Sequence, residues 1–311
     1  MDAEDAGEES RAVAVDEFLS AMSPILNLEV LQGRVGMDNE IRSPRVQKLG
    51  MVLAGFTGYI HTDRVHLFGG SEAHFLRTLD AEERAAAVGR LKRHRVCCVL
   101  FTQGLEVPEN FLETAAETGT PVLRSAAESS AVIAAITRYL EERLAPRMTV
   151  HGVLLEIFGL GVLLLGPSGI GKSECALELI MKGHRLITDD YVEIIRHGMD
   201  RLTGTGAKVL KHHMELRGLG IIDIKELFGV SATGTFQTID LVVRLERWKP
   251  DAEYDRLGLD PSTTELLGVR VPCLEMPVAP GRNTATLVEI AARIQLLRQR
   301  GHKPFRSAGD D

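Results

Sequence analysis

The sequence predicts a two-domain α/β protein. Three observations carry that expectation. Strand-like and helix-like stretches alternate through the first part of the chain. Pro146 ends a long helical stretch, and the texture changes behind it. The second part opens on apolar strands that run into a glycine-rich turn and then a helix. A length of 311 residues fits about two domains.

Residues 1–14 are acidic and small, and the expectation there is a disordered tail. Residues 15–145 form the first domain, an α/β layer with a role in assembly or regulation. Strands are expected at 28–34 and 65–68. Between them, Pro44 and the spacing of Val46, Leu49, Val52 and Leu53 predict a short helix over 44–54. Asp80 is placed to cap a helix that runs to about Lys92, with Glu82 and Glu83 in its first turn. A strand at 96–101, a helix at 109–118, a strand at 121–124 and a long helix at 126–144 complete the domain.

Residues 146–311 form the second domain. Apolar strands are expected at 150–158 and 161–165, a helix at 172–182 stopped by Gly183, and a short strand at 185–188 that ends in Asp189-Asp190. Strands at 191–197 and 239–245 follow. Leu287, Ile290, Ala291, Ile294 and Leu297 give an amphipathic helix over 284–300, closed by Gly301.

Composition excludes several classes. Hydrophobic residues make up 44% and charged residues 25%, so the chain is neither disordered nor fibrous. The net charge of −7 gives no global basic excess for nucleic acid, and aromatic residues at 5% make a base-stacking platform improbable. No apolar run reaches the roughly 18 residues of a membrane span. Cys97, Cys98, Cys175 and Cys273 include no C-x-x-C pair, which argues against a disulfide framework or structural zinc and points to a cytoplasmic location.

The strongest motif is Gly166-Pro167-Ser168-Gly169-Ile170-Gly171-Lys172-Ser173, a full match to G-x-x-x-x-G-K-S/T between a strand and a helix. Glycines let successive backbone N–H groups curl around a phosphate, and the following helix N-terminus adds partial positive charge. Lys172 supplies a full charge, and the Ser173 hydroxyl is able to ligate Mg²⁺. Asp189 and Asp190 end the next strand, which a parallel sheet would bring to the same rim. A carboxylate there either holds Mg²⁺ or takes a proton from an attacking hydroxyl. Two neighbouring carboxylates disfavour joint ionisation, so one pKa is expected to rise.

Other segments are weaker alone. His151 with Gly152 lies in the strand beside the loop strand and reads as a core or edge residue as readily as a functional one. His212, His213 and Glu215 make a poor metal site, because adjacent histidines rarely share one ion. Met214-Glu215-Leu216-Arg217-Gly218-Leu219-Gly220-Ile221-Ile222-Asp223 is better read as a loop with Glu215 as a second Mg²⁺ ligand and Arg217 near phosphate than as a dinucleotide fingerprint. Arg256, in a charged run, reads by itself as a solvated side chain. Pro277-Val278-Ala279-Pro280-Gly281-Arg282 is a rigid turn whose arginine can clamp an anion.

In order and content, these segments resemble the HPr kinase/phosphorylase family, most densely from His151 to Asn283. Arg45-Val46-Gln47-Lys48 and Leu53-Ala54-Gly55-Phe56 are similar to its N-terminal half, with Leu49 standing where proline is expected. The resemblance implies a PEP-carboxykinase-like P-loop kinase domain, Mg²⁺ as cofactor and ATP as phosphoryl donor. It implies serine phosphorylation of the phosphocarrier HPr or a related carrier, and removal of that phosphate by inorganic phosphate to give pyrophosphate. It also implies a homohexamer. His151, Lys172, Asp190 and Arg256 fall on the family's active residues, with Asp190 as proton acceptor and donor. Ser173 and Glu215 fall on its Mg²⁺ ligands, 214–223 on its signature and 277–282 on its dephosphorylation loop. A P-loop kinase for a small metabolite and a nucleotide-responsive regulator without catalysis are the alternatives.

Overall fold

The computed structural model describes residues 11–206, 212–248, 262–279 and 281–302. Two compact units divide between Ala145 and Pro146.

In the first unit, β1 (Val13–Ala14) pairs with β3 (Glu40–Ile41). Val13 is buried, so order begins before the end of the tail expected over 1–14; residues 1–10 of that tail lie outside the described residues. Helix α1 (Val15–Leu26) follows, then the five-stranded sheet ordered β2 (Glu29–Gln32), β7 (Val122–Arg124), β6 (Cys98–Phe101), β5 (Val65–Phe68) and β4 (Gln47–Lys48). Strands β4 to β7 pair in parallel, and β2 is antiparallel on β7. Period-two alternation divides the side chains. Leu67, Cys98 and Leu100 face a core with Phe18, Ile136 and Leu140. Phe68, Val99 and Phe101 face another with Val52, Leu76 and Phe111.

The helices on these faces are α2 (Gly50–Leu53), α3 (Gly70–Thr78), α4 (Ala81–Gly89), α5 (Glu109–Thr118) and α6 (Ser129–Arg143). Asp80 caps α4 as expected, accepting from the Glu83 N–H at 2.8 Å while Glu83 accepts from Asp80. The helix expected over 44–54 is mostly absent. Gln47 and Lys48 extend to pair with His66 and Leu67, and only a four-residue helix remains behind them. The main-chain ladder of the sheet edge outcompetes a short helix of marginal intrinsic stability.

The second unit holds a nine-stranded sheet on the path β15 (Phe236–Thr238), β12 (Arg201–Thr205), β11 (Tyr191–His197), β8 (Arg147–Ile157), β9 (Leu160–Leu165), β16 (Leu241–Arg247), β18 (Val269–Val278) and β17 (Ser262–Leu266), with β10 (Arg185–Thr188) also on β8. Helices α7 (Lys172–Met181) and α9 (Thr284–Gln299) cover one face, over Val153, Leu155, Val162, Leu164 and Val243. Leu154, Leu163, Val192 and Val242 fill the other. Burial on both faces explains why β9 reads as an unbroken apolar run.

One topological expectation needs correction. β10 does not pair in parallel with β9; it is antiparallel to β8, which is antiparallel to β9. Two reversals leave β10 and β9 running the same way. Their C-terminal ends, with those of β16 and β18, therefore share a rim. The segment 214–223 is also not an open loop. It forms the hairpin β13 (His213–Leu216) and β14 (Gly220–Asp223), leading into the short helix α8 (Ile224–Phe228). Its G-x-G glycines take φ values of +87° and +89°, which the tight turn requires. Among the described residues, no helix is long and apolar enough to cross a membrane.

His66, in the middle of β5, is fully buried, and neither ring nitrogen finds a partner of good hydrogen-bond geometry. Burial pulls its pKa from 6.5 to about 4, and main-chain contact with Arg64 offsets this only in part. The unfolded chain therefore binds a proton here that the folded unit rejects. The stability is fully present above pH 6.5 and is lost as pH falls toward 4, in total roughly 3 kcal/mol. The protection factors of the β5 and β6 amides, observed exchange corrected for the intrinsic rate, are expected to fall on going from pH 7 to pH 5. His66→Leu is expected to flatten that dependence.

Candidate functional site

Strand β8 builds the site by separating two elements and holding both. On one side Gly152 pairs with Leu165, the last residue before the glycine-rich loop. On the other, the Gly152 N–H donates to the Asp190 carbonyl at 3.0 Å. β10 pairs with the 154–156 end of β8 and β11 with the 147–151 end, so Asp189-Asp190 is the break between two strands laid along one edge. A Cβ at Gly152 would fall 2.7 Å from the Leu164 carbonyl. Glycine is needed there for the strands to approach.

The loop 166–173 leaves β9 and enters α7. Gly166, Gly169 and Gly171 have φ of +150°, +75° and +102°. A Cβ at Gly166 would lie 2.5 Å from the Leu245 carbonyl of β16. Pro167 offers its carbonyl to Lys172, and Ile170 packs on the core beneath. Ser168, Gly169, Gly171, Lys172 and Ser173 line a pocket with His151, Asp189, Asp190, Glu215 and Arg217. The residues named are glycines and polar or charged side chains, so the pocket suits a charged, hydrogen-bonding group.

Lys172 is buried, and its Nζ donates to the Gly166 carbonyl at 2.9 Å and the Pro167 carbonyl at 3.3 Å, with His151 Nε2 also at 3.3 Å. Burial lowers its pKa, against the opposing pull of Asp189 and Asp190. His151 Nδ1 lies 2.9 Å from Asp190 Oδ1. The neighbouring acid faces elsewhere: the Ser173 hydroxyl donates to Asp189 Oδ1 at 3.1 Å. Burial raises the pKa of Asp189, and hydrogen bonds from Ser173 and from the main chain of Asp190 and Glu215 partly restrain it. One acid of the pair was expected to rise by mutual repulsion. It does rise, but desolvation is the main cause and proximity to Asp190 a small one.

The hairpin supplies Glu215 and Arg217. The Arg217 guanidinium stands over Gly169, where a Cβ would meet it at 2.5 Å. The pocket thus gathers His151, Lys172, Ser173, Asp190 and Glu215. It does not gather everything read from the sequence. Arg256 and Pro280 lie outside the described residues. Pro277 and Val278 belong to β18, paired with Glu246 and Arg247; with Ala279, Gly281 and Arg282 they sit beyond the pocket lining. They leave from the same rim, however, and lead to Asn283, which caps α9 through the Thr286 N–H at 2.7 Å. Among the described residues, His212 and His213 join no group of three or more His, Cys, Asp or Glu side chains fit for a metal. Sequence reasoning missed Asp189 as the partner of Ser173; its only signal was its place beside Asp190.

Known proteins resemble this chain along nearly its whole length. Residues 13–140 match the family model for the HPr serine kinase N terminus, and residues 142–309 that for the HPr serine kinase C-terminal domain. An HPr kinase/phosphorylase of Geobacter sulfurreducens is 42% identical over 298 residues, covering 96% of this chain and 93% of that one. Another, of Lachnoclostridium phytofermentans, is 43% identical over 268 residues, covering 86% of this chain and 87% of that one.

The loop geometry makes one substitution diagnostic. Gly166→Ala meets a main-chain oxygen that cannot swing aside, at a φ that side chains disfavour. It is expected to destabilise the second unit by about 2 kcal/mol or more and to weaken inorganic phosphate binding. Urea unfolding followed at Trp248 and phosphate titration check the two effects.

Proposed function

The chain belongs to the HPr kinase/phosphorylase family, and from that premise we propose that it phosphorylates a serine of HPr with ATP and removes the phosphate by phosphorolysis. The observation that carries the reading is one pocket lined by Lys172, Ser173, Asp190 and His151 at the rim of a strand–loop–helix unit. That unit, on a mixed sheet, supports a P-loop kinase of the PEP-carboxykinase-like kind.

In the kinase direction the loop amides and the N-terminus of α7 hold the phosphates of ATP, and Lys172 neutralises their charge. The serine hydroxyl attacks the terminal phosphorus in line. Its oxygen bonds to phosphorus, the bond to ADP breaks, and Asp190 takes the hydroxyl proton. Arg217 is placed to stabilise the equatorial oxygens. In reverse, an oxygen of inorganic phosphate attacks the phosphoserine, the bond from phosphorus to the serine oxygen breaks, and Asp190 returns the proton. Pyrophosphate leaves. One carboxylate serves both directions by microscopic reversibility.

The donor set suits Mg²⁺. This ion favours oxygen ligands and is commonly held by one or two carboxylates together with substrate phosphates. Ser173 and Glu215 would hold it, with the half-buried Asp189 behind Ser173. When bound, Mg²⁺ supplies charge neutralisation on the phosphate oxygens. The family resemblance assigns 277–282 to dephosphorylation, and Pro277 and Val278 at the end of β18 leave the same rim; keeping water out is what a phosphorolysis needs of such a segment. Arg256 and a homohexameric assembly come into the proposal from the family resemblance alone. A proton acceptor such as Asp190 has no purpose in a protein that only binds nucleotide, which favours the catalytic reading.

Asp190→Asn is expected to lower phosphoryl transfer to HPr and phosphorolysis of phosphorylated HPr alike, each by at least about a hundredfold, while ATP still binds. Labelled-ATP transfer, pyrophosphate release and nucleotide titration measure the three. Retention of either activity would remove Asp190 from the mechanism.

A further inference from the structure

The contacts of Lys172 determine the chemistry of its neighbour. An ammonium group has three hydrogens and no lone pair. Lys172 directs Nζ at the Gly166 carbonyl, the Pro167 carbonyl and His151 Nε2, so all three hydrogens are committed. His151 Nε2 can only accept, and the single proton of the neutral ring must sit on Nδ1. There it donates to Asp190 Oδ1 at 2.9 Å. A lysine on one side of the imidazole thus sets the hydrogen bond on its other side. A further neighbour is Tyr191, opposite His151 across the strands, with its ring edge-on at 5.9 Å between centroids. Its phenol does not compete for either nitrogen in the contacts described.

The arrangement adds little to stability. The side chains of His151 and Asp190 are 44% and 59% exposed, and an exposed pair contributes at most about 1 kcal/mol. Asp190 also adopts φ of +73°, outside the region non-glycine residues prefer. A strained residue in a weak pair at the mouth of a pocket points to function.

We propose that His151 is a positioning residue that couples phosphate capture by Lys172 to the orientation of Asp190. While Lys172 turns back on its own loop, the ring is held in its Nδ1–H form and fastens the carboxylate. A phosphate oxygen competes best for the hydrogen now given to the imidazole. It carries full charge, whereas the imidazole is neutral, and charge-assisted bonds are roughly twice as strong. The two carbonyl contacts belong to the loop and stay with it. Once Lys172 gives that hydrogen to phosphate, Nε2 loses its donor and only the carboxylate still favours the Nδ1–H form, so the ring is no longer fixed from the loop side and Asp190 is freer to turn toward an incoming hydroxyl. The base is thereby turned to the substrate only after the phosphate has been engaged. The inference rests on the reading of Asp190 as the proton acceptor.

Long-range proton–nitrogen spectra of histidine-labelled full-length protein test the coupling without any turnover. His151, assigned by the signal missing in His151→Gln, is expected in the Nδ1–H form without added phosphate and in a tautomer mixture at saturating inorganic phosphate. An Nε2–H form at the start, or no change at saturation, overturns the proposal. Kinetics supply a second readout. His151→Asn keeps an amide near the Nδ1 position, and His151→Gln moves it toward the Nε2 position. The kcat of the glutamine variant is expected to fall at least about tenfold further than that of the asparagine variant, with KM for ATP held within about threefold in both. Equal losses would mean that the contact with Asp190 does not matter and would sink the idea. Absence of transfer to HPr by the unmodified protein would instead refute the proposed activity, and the spectra would still decide the coupling.

Discussion

The second unit depends on a single spacing. β8 lies between the strand that launches the glycine-rich loop and the strands that carry the paired acids, and it is hydrogen-bonded to both. Adjacent strands sit about 4.8 Å apart, so an acid one strand beyond β8 is two strand spacings from β9. That gap admits one side chain from β8 between the loop lysine and the acid. His151 fills it. Gly152 beside it carries no side chain because the Leu164 carbonyl leaves no room for one. The dipeptide is thus read twice by the fold, once for a ring that bridges and once for a backbone that must come close.

Much of this was legible in the sequence, for identifiable reasons. The loop motif carries its own geometry, since glycines at fixed offsets have positive φ and the strand and helix around it have unambiguous patterns. β5, α5, β10 and β11 fall where the residues indicate because each carries a short apolar pattern bounded by turn or charged residues. The failures share a cause. At 44–54 the helical spacing of Val46, Leu49, Val52 and Leu53 was genuine, but a neighbouring parallel strand offered Gln47 and Lys48 a ladder. At 214–223 two glycines suggested a loop, whereas a short cross-strand ladder turned the segment into a hairpin. Both outcomes were decided by strand pairing, with β5 farther along the chain in one case and across a tight turn in the other, which the spacing of apolar residues and glycines alone does not encode. The topology of β10 is subtler. The inferred rim was right and the inferred pairing wrong, because two antiparallel steps reproduce the direction that one parallel step would give.

The hairpin shows how a local turn reaches the chemistry. Gly218 and Gly220 allow the chain to reverse within a few residues, and the reversal projects Glu215 and Arg217 into the pocket from outside the main sheet. Main-chain contact between Glu215 and the Asp189 carboxylate ties the hairpin to the end of β10. Arg217 then covers Gly169 on the opposite wall. Positive charge from the hairpin and the loop lysine thus approaches the pocket from two independently anchored elements. Such an arrangement is better preorganised than two cations carried on one mobile segment.

The paired acids show how adjacent, chemically identical residues acquire separate duties. In a regular strand, neighbours point to opposite faces and keep the ladder. Here the strand breaks, and Asp190 takes a left-handed conformation that aspartate tolerates better than most residues. The turn sends Asp189 inward, where it is desolvated and accepts from Ser173, and leaves Asp190 in the pocket mouth against His151. The separation is electrostatically useful. A half-buried, desolvated carboxylate with a raised pKa suits the cation side, where a metal charge would pull it back toward ionisation. A half-exposed carboxylate suits proton exchange with a substrate that arrives from solvent. The backbone strain at residue 190 is a small cost for setting one acid inward beside Ser173 and the other in the pocket mouth beside His151, which the opposite faces of an unbroken strand would not give.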